Sequence, residues 1–361
     1  MSVDRIKILY IVEAMGGGVF TYIVDLSNAL VKTYNVDVCI AYAVRPQTPS
    51  NFREYFDKRI KLIEVHSFTR SINPIKDIKA IGEIKQIVDD IKPHVIHLHS
   101  SKAGAIGRFV INGKEIPLFY TPHGYSFLMQ NYGVLKRNLY KLIETIAAKR
   151  HCTTISCSEG EHKETLKLTK RACYVNNGIN IDELQNILNN IKLNKHKFTV
   201  FTLGRICHQK NPALFNQIAK ALPDIHFVWI GDGELRNELT SENIEITGWV
   251  DRPNALKKAV NADLFLLTSL WEGLPISLLE AMYMKKLCVV SDVIGNHDVI
   301  INGQNGFVCV SVQEFVDGIN SYSKSETIRQ NAYQDIISRY NTVFMAKRYY
   351  EVYTSQLGES I

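Results

Sequence analysis

Asp263-Leu264-Phe265-Leu266-Leu267-Thr268-Ser269-Leu270-Trp271-Glu272-Gly273-Leu274-Pro275-Ile276-Ser277-Leu278-Leu279-Glu280-Ala281-Met282 is the stretch whose pattern orders the rest of the chain. The run Asp263–Ser269 has the short, continuous apolar character of a buried parallel strand. Pro275 suits the first position of a helix, where its missing N–H would have no helical partner. Glu272 is then expected in the loop leaving the strand, and Glu280 roughly two turns up the helix that follows. Open α/β sheets bind ligands in the crevice at the carboxyl ends of their strands, and both carboxylates fall there. An arbitrary pair of glutamates is more often solvated. Glu280, however, is flanked by Leu278, Leu279, Ala281 and Met282, and a carboxylate in such company needs a specific partner.

Outward from this stretch the same alternation recurs. Strands are expected at 6–13, 36–43, 61–67, 94–100, 118–121, 153–157 and 173–176, with helical patterns at 20–33, 74–91 and 134–149 between them. A second series follows, at 199–204, 227–231, 244–247, 264–268, 287–291 and 307–310. Strands alternating with helices give parallel sheets with right-handed crossovers. Two such series in 361 residues predict two doubly wound α/β domains. The polar stretch 176–197 is the natural joint. Residues 325–356 read as one helical segment with Tyr333, Ile336, Ile337, Tyr340 and Phe344 on a single face.

With 46% hydrophobic and 22% charged residues the chain reads as a globular protein. No apolar run nears the roughly 20 residues that span a bilayer, and no apolar leader follows Met1-Ser2-Val3-Asp4-Arg5. The seven cysteines are scattered without C-x-x-C spacing, as expected for reduced thiols in the cytoplasm. The net charge of +6 divides into +9 for residues 1–180 and −3 for the remainder. A basic front half implies an anionic partner there. Nucleic acid fits poorly, because no base-reading helix, zinc finger or aromatic RNA-binding strand is present. A membrane surface or a lipid-diphosphate acceptor fits better.

Three loops after strands could hold a diphosphate. Met15-Gly16-Gly17-Gly18 can bring backbone N–H groups close to an anion, although it matches neither G-x-G-x-x-G nor the P-loop. In Gly204-Arg205-Ile206-Cys207-His208-Gln209-Lys210-Asn211-Pro212, Asn211 can cap the helix that Pro212 opens, and Arg205 and Lys210 add two cations to its N-terminus. Gly231-Asp232-Gly233-Glu234 reads mainly as a tight turn whose Asp bonds its own backbone. Cations suit phosphates and carboxylates suit vicinal hydroxyls, so a ligand with both needs is a nucleotide sugar. No D-x-D pair is present to bridge a diphosphate through a metal.

These segments, together with Asn176-Asn177-Gly178-Ile179-Asn180, Pro93–Gly104 and Tyr120–Phe127, resemble the retaining nucleotide-sugar glycosyltransferases of family four. Pro93–Gly104 and Tyr120–Phe127 are similar to the bacterial members that build capsule, exopolysaccharide or O-antigen. The resemblance covers essentially the whole chain, most tightly in its second half. It implies the GT-B architecture: two Rossmann-like doubly wound parallel-sheet domains facing across a cleft. An acceptor domain would span 1–178, joined by the C-terminal helix at about 342–361, and a donor domain 179–341. The catalytic set implied is Glu272, His123, Arg205 and Lys210. Arg205 and Lys210 would hold the donor diphosphate, with Gly17, Gly18 and Gly231 close by. Glu280 would hold the ribose, and Glu272 the transferred sugar, assisted by backbone N–H groups at Gly273 and Leu274. No metal and no further cofactor is expected, and no protein nucleophile. The donor expected is a nucleoside-diphosphate sugar, uridine-linked before guanosine-linked. The acceptor expected is lipid-linked or a saccharide.

Other readings compete residue by residue. His97 and His99 share a strand face, but no Cys or carboxylate completes a metal set. His123 taken alone is a structural histidine in a special turn, and its role rests on the resemblance. In 134–150, Leu135, Leu139, Leu142 and Ile143 fall on one face, with Lys136, Arg137, Lys141, Lys149 and Arg150 around it. A helix packed on its own domain and a peripheral contact with the anionic cytoplasmic leaflet both fit. Among whole-protein alternatives, a GT-B sugar-nucleotide epimerase gives no transfer product. A GT-B phosphorylase would use a cofactor lysine, for which the sequence offers no candidate. A non-catalytic sugar-nucleotide-binding partner would not need both glutamates and both cations.

Overall fold

The computed structural model describes residues 5–13, 15–69, 73–130, 132–192 and 197–358. The chain divides into two compact units: Met1–Leu128 with Gly133–Asn177 and Thr342–Ile361, and Met129–Tyr132 with Gly178–Asn341.

The first unit is built on a sheet of β1 (Ile6–Val12), β2 (Val36–Tyr42), β3 (Lys61–Glu64), β4 (Val95–His99), β5 (Leu118–Thr121), β6 (Thr153–Ser156) and β7 (Ala172–Tyr174). Its strand order is β3-β2-β1-β4-β5-β6-β7, and every pairing is parallel. Helices α1 (Gly17–Thr33), α2 (Pro74–Ile91), α3 (Ser101–Val110), α4 (Val134–Ala147) and α5 (Glu159–Leu166) make the crossovers. The central strands are apolar at consecutive positions because helices cover both faces, so no alternation with polar residues is needed.

The second unit starts with α6 (Ile181–Asn189) and carries β8 (Thr199–Leu203), β9 (His226–Ile230), β10 (Ile244–Ile246), β11 (Leu264–Leu267), β12 (Leu287–Ser291) and β13 (Phe307–Cys309). The order β10-β9-β8-β11-β12-β13 is the doubly wound arrangement again, with its direction reversing between β8 and β11. Its helices are α7 (Pro212–Ala221), α8 (Arg252–Val260), α9 (Ile276–Tyr283), α10 (Val312–Asn320) and α11 (Glu326–Arg339). Phe215, Phe227, Trp229, Leu264 and Leu266 lie in one of its buried clusters. The last helix, α12 (Thr342–Leu357), belongs to the first unit and buries Met345, Ala346, Tyr349 and Tyr353 against the β1 side of its sheet.

Some expectations needed revision. The polar joint at 176–197 holds α6: Asn180 caps it by accepting from the Glu183 N–H (3.2 Å), and Leu184 is buried. An amphipathic helix with two asparagines and an asparagine at either end reads as linker by composition, yet Ile181, Leu184 and Leu188 keep helical spacing. Residues 193–196 of that joint lie outside the described ones, as do 1–4. The segment 325–356 is two helices. Between them the Ile179 N–H donates to the Tyr340 carbonyl (3.0 Å) and Ile179 bridges Asn341, so the backbone leaves the helix there. Ile336 and Tyr340 are buried whereas Ile337 and Phe344 are exposed, so the expected single face does not form. Pro275 caps α9 from outside, with φ −74° and ψ 121°, and Ile276 is the first helical residue. Strand ends were over-extended: β3 stops at Glu64.

Candidate active site

In the second unit the loops after β8 and β11 flank the point where the strand order reverses, and both are laced together. Asn211, in the left-handed region (φ 50°, ψ 64°), caps α7 by accepting from the Leu214 N–H (3.3 Å), and Pro212 follows as the first helical residue. Thr268 Oγ1 donates to the Lys210 carbonyl (2.8 Å), and the Leu270 N–H to the Gln209 carbonyl (2.8 Å). These bonds fix the side chains above them. Lys210 Nζ lies 2.6 Å from Glu272 Oε1, which also accepts from Ser269 Oγ (2.6 Å), while Gln209 Nε2 donates to Glu272 Oε2 (3.2 Å). Both charged side chains are largely withdrawn from solvent, 15% and 7% exposed. A pair this enclosed interacts far more strongly than one on a surface.

Arg205 has a separate partner: its Nε donates to Glu234 Oε2 (2.9 Å), the last residue of the Gly231-Asp232-Gly233-Glu234 turn. Asp232 Oδ1 accepts from the Gly233 N–H (2.8 Å), so this turn does bond itself. Gly231 has φ 139°, and a Cβ there would sit 2.2 Å from the Gly204 carbonyl oxygen; only glycine lets the two loops touch. Gly273 and buried Leu274 continue the Glu272 loop into α9.

Glu280 is buried on α9 and takes a different cation, Arg252 Nη1 at 2.6 Å; Arg252 Nε also lies 3.8 Å from Glu183 Oε1 of α6. Burial raises the Glu280 pKa, and Arg252 opposes the rise. The sequence reading missed Arg252 and Gln209. Each lies on an element distant in sequence from its glutamate, and only the assembled sheet shows the pairing.

In the first unit, Met15-Gly16-Gly17-Gly18 follows β1 and opens α1. Gly17 has φ 56°, and a Cβ on Gly17 or Gly18 would meet nothing within 4 Å, so the backbone there is open to a ligand. Three histidines gather on β4 and beyond β5. His97 is satisfied on both nitrogens, Nδ1 with Tyr353 OH (2.7 Å) and Nε2 with Thr121 Oγ1 (2.9 Å), and so ties α12 to the sheet. His99 Nδ1 lies 3.1 Å from His123 Nε2. Tyr22 of α1 meets the His123 ring edge-on (centroids 4.6 Å), which links the glycine-opened helix to His123. Burial lowers the pKa of all three, His97 and His99 well below the usual value and His123 to about 3. Among the described residues no three His, Cys, Asp or Glu side chains gather as a metal-holding group.

Two doubly wound parallel sheets, with an enclosed Lys–Glu pair at the reversal point of one and an open glycine turn on the other, have the architecture of the GT-B glycosyltransferases. Two family models match consecutive parts of the chain, Glycosyltransferase Family 4 over residues 16–183 and Glycosyl transferases group 1 over 184–339. The chain belongs to these glycosyltransferases. It is 29% identical over 338 residues to the Escherichia coli UDP-Gal:alpha-D-GlcNAc-diphosphoundecaprenol alpha-1,3-galactosyltransferase, covering 83% of this chain and 85% of that one. It is 25% identical over 329 residues to the Campylobacter jejuni N,N'-diacetylbacillosaminyl-diphospho-undecaprenol alpha-1,3-N-acetylgalactosaminyltransferase, covering 82% and 86%. The fold is shared with sucrose-phosphate synthase of Thermosynechococcus elongatus (TM-score 0.81, 14% identity, 98% and 100% covered). It is also shared with Anabaena HepE in complex with UDP and glucose (TM-score 0.76, 16% identity, 97% and 100% covered).

Proposed function

We propose that this glycosyltransferase moves a hexose or N-acetylhexosamine, with retention, from a UDP-sugar to a lipid-diphosphate-linked saccharide during cell-surface polysaccharide synthesis. The observation that carries the reading is the Lys210–Glu272 pair. A cation for the diphosphate and a carboxylate for sugar hydroxyls are held in contact, so a ligand with both groups engages both. Arg205 adds a second cation to the same loop, Glu280 serves the ribose, and Gly17 and Gly18 offer backbone N–H groups. Gly231 and the Gly273–Leu274 backbone shape the donor pocket, and His123 contacts the sugar. The acceptor hydroxyl attacks the anomeric carbon with no protein side chain as nucleophile, and the residues act by positioning and by stabilising the departing diphosphate. The Escherichia coli and Campylobacter jejuni relatives are named for undecaprenyl-diphosphate-linked sugars, which supports the acceptor class. In the test, UDP- and GDP-sugars are incubated with a polyprenyl-diphosphate sugar and nucleotide release is followed. UDP release that requires the acceptor, with an α-linked product, is expected. Release confined to GDP-sugars, inversion at the anomeric carbon, or donor binding without release would overturn the reading.

A lipid acceptor also fits the outer face of α4. Leu135, Leu139 and Leu142 are half or more exposed, while the inward Glu144 is buried on Arg108 (2.6 Å) and Tyr120 OH (2.9 Å). Tyr140 and buried Ala147 also face the core, and the second apolar ridge is left to solvent. Lys136 and Lys141 border the ridge, and the occupant proposed is the surface of an anionic membrane. Among the described residues no helix is long and apolar enough to cross a bilayer. Replacing Lys136, Arg137 and Lys141 with alanine should reduce co-sedimentation with phosphatidylglycerol vesicles. Undiminished sedimentation would reject the contact.

A further inference from the structure

His97 and His99 are neighbours on β4, both fully buried, and yet differently satisfied. Thr121 Oγ1 donates its hydrogen to the Ile155 carbonyl (2.8 Å), so towards His97 it accepts and His97 Nε2 donates, while His97 Nδ1 lies 2.7 Å from Tyr353 OH. His99 has one polar contact, Nδ1 to His123 Nε2 at 3.1 Å, and its Nε2 is buried without a hydrogen-bond partner. One proton lies between the two rings, and its owner decides the other end of each. Were His123 the donor, His99 would hold its own proton on Nε2 as an orphaned buried N–H, the rarest kind of unsatisfied group. With His99 Nδ1–H as donor, only a bare acceptor nitrogen is left inside, and the proton of His123 must sit on Nδ1.

The backbone is strained on both sides of this contact. Ser100, directly after His99, has φ 74° and ψ 157°, a region occupied almost only by glycine. His123 itself has φ 55°. Its turn is clamped by buried Glu161, whose carboxylate accepts from the Gly124 N–H (2.7 Å) and the Cys157 N–H (2.8 Å). Register brings the strand ends level, with His99 opposite Thr121, two residues before His123. Such strain persists where the surroundings over-determine a conformation, as at sites that hold a functional side chain in place.

We propose that His99 is a positioning residue that fixes His123 as a neutral imidazole protonated on Nδ1. His123 then meets the transferred sugar as a hydrogen-bond donor and not as a proton acceptor. This rests on the proposed contact of His123 with the sugar, but the tautomer is testable without it. A donor imidazole bonds and orients a sugar hydroxyl without taking a proton, which suits a transfer in which the acceptor hydroxyl gives its proton to the departing diphosphate oxygen.

The test is nitrogen NMR of the full-length protein labelled with ¹⁵N-histidine at pH 7.5, with His123 assigned by the signals lost in His123→Gln. A protonated-type Nδ1 and a bare-type Nε2 for His123 are expected. The opposite pattern overturns the proposal. His99→Phe keeps a ring in the aromatic nest of Tyr10 and Tyr22 but removes the donor, whereas His99→Asn keeps a donor near the place of Nδ1. His99→Phe should mix the His123 tautomers and lower kcat roughly tenfold, the worth of about one hydrogen bond, with donor KM little changed. His99→Asn should restore much of both. An unaltered His123 tautomer in His99→Phe overturns the positioning role. A shifted tautomer with unaltered kcat overturns the catalytic half alone, and with it the placement of His123 at the sugar.

Discussion

Lys210→Ala should lower kcat for transfer on the order of a hundredfold, about 3 kcal/mol, because it removes the cation proposed to meet the leaving diphosphate. The geometry adds a second consequence. In the free protein Lys210 is engaged by Glu272 at 2.6 Å, and both side chains are mostly buried. A diphosphate must therefore compete with a carboxylate for the same ammonium. On that proposal a complete donor offsets the loss by giving Glu272 hydroxyls of the transferred sugar; the nucleoside diphosphate left after transfer keeps only its ribose hydroxyls, which fall to Glu280. The pair thus favours the intact donor over the product. Glu272→Gln releases Lys210, so it should bind UDP more tightly than wild type while turning over more slowly, two effects of opposite sign from one substitution. Isothermal titration with UDP and with the UDP-sugar, beside steady-state kinetics, reads both. Weaker UDP binding in Glu272→Gln, or wild-type kcat in Lys210→Ala, would refute this account. A folding defect is separable. Lys210→Ala leaves a buried carboxylate without its counter-charge, and the added Glu272→Gln change should recover stability without recovering transfer.

Much of the fold is legible in the sequence alone. Strands such as Leu264–Leu267 and Leu287–Ser291 stand out because parallel strands covered on both faces are apolar without interruption. Glu272 and Lys210 could be placed by counting past the ends of Leu264–Leu267 and Thr199–Leu203. What stayed hidden depended on which strands lie side by side. Arg252 meets Glu280 only because α8 and α9 belong to one unit, and the two are 28 residues apart. His99 and His123 meet because β4 pairs with β5 in one register, and a slip of one residue would turn His99 to the other face. Composition also misled: α6 hid in an asparagine-rich stretch, and α11 and α12 looked continuous because the break at Tyr340–Asn341 is made by a backbone contact with Ile179. Local pattern names elements, whereas contacts between elements create the polar pairs.

Those buried histidines also set a pH limit on the fold. His97, His99 and His123 have pKa values pushed down by burial, His123 to about 3 and the other two well below the ordinary 6.5, whereas in the unfolded chain all three titrate near 6.5. Above that value neither state binds the protons and stability is independent of these groups. As pH falls below it, the unfolded chain takes up protons that the folded one refuses, so stability declines until the folded values are reached. At pH 5.5, one unit below the unfolded value, the loss is about 1.4 kcal/mol for each histidine and about 4 kcal/mol for the three. The unfolding temperature of the first unit should thus drop steeply between pH 7.5 and 5.5. His123→Gln removes one titrating group from the less enclosed end of the cluster, and its drop over the same interval should be about one third smaller. Thermal unfolding followed by circular dichroism at the two pH values decides the matter: equal drops in wild type and His123→Gln would show that the imidazoles already accept protons while folded.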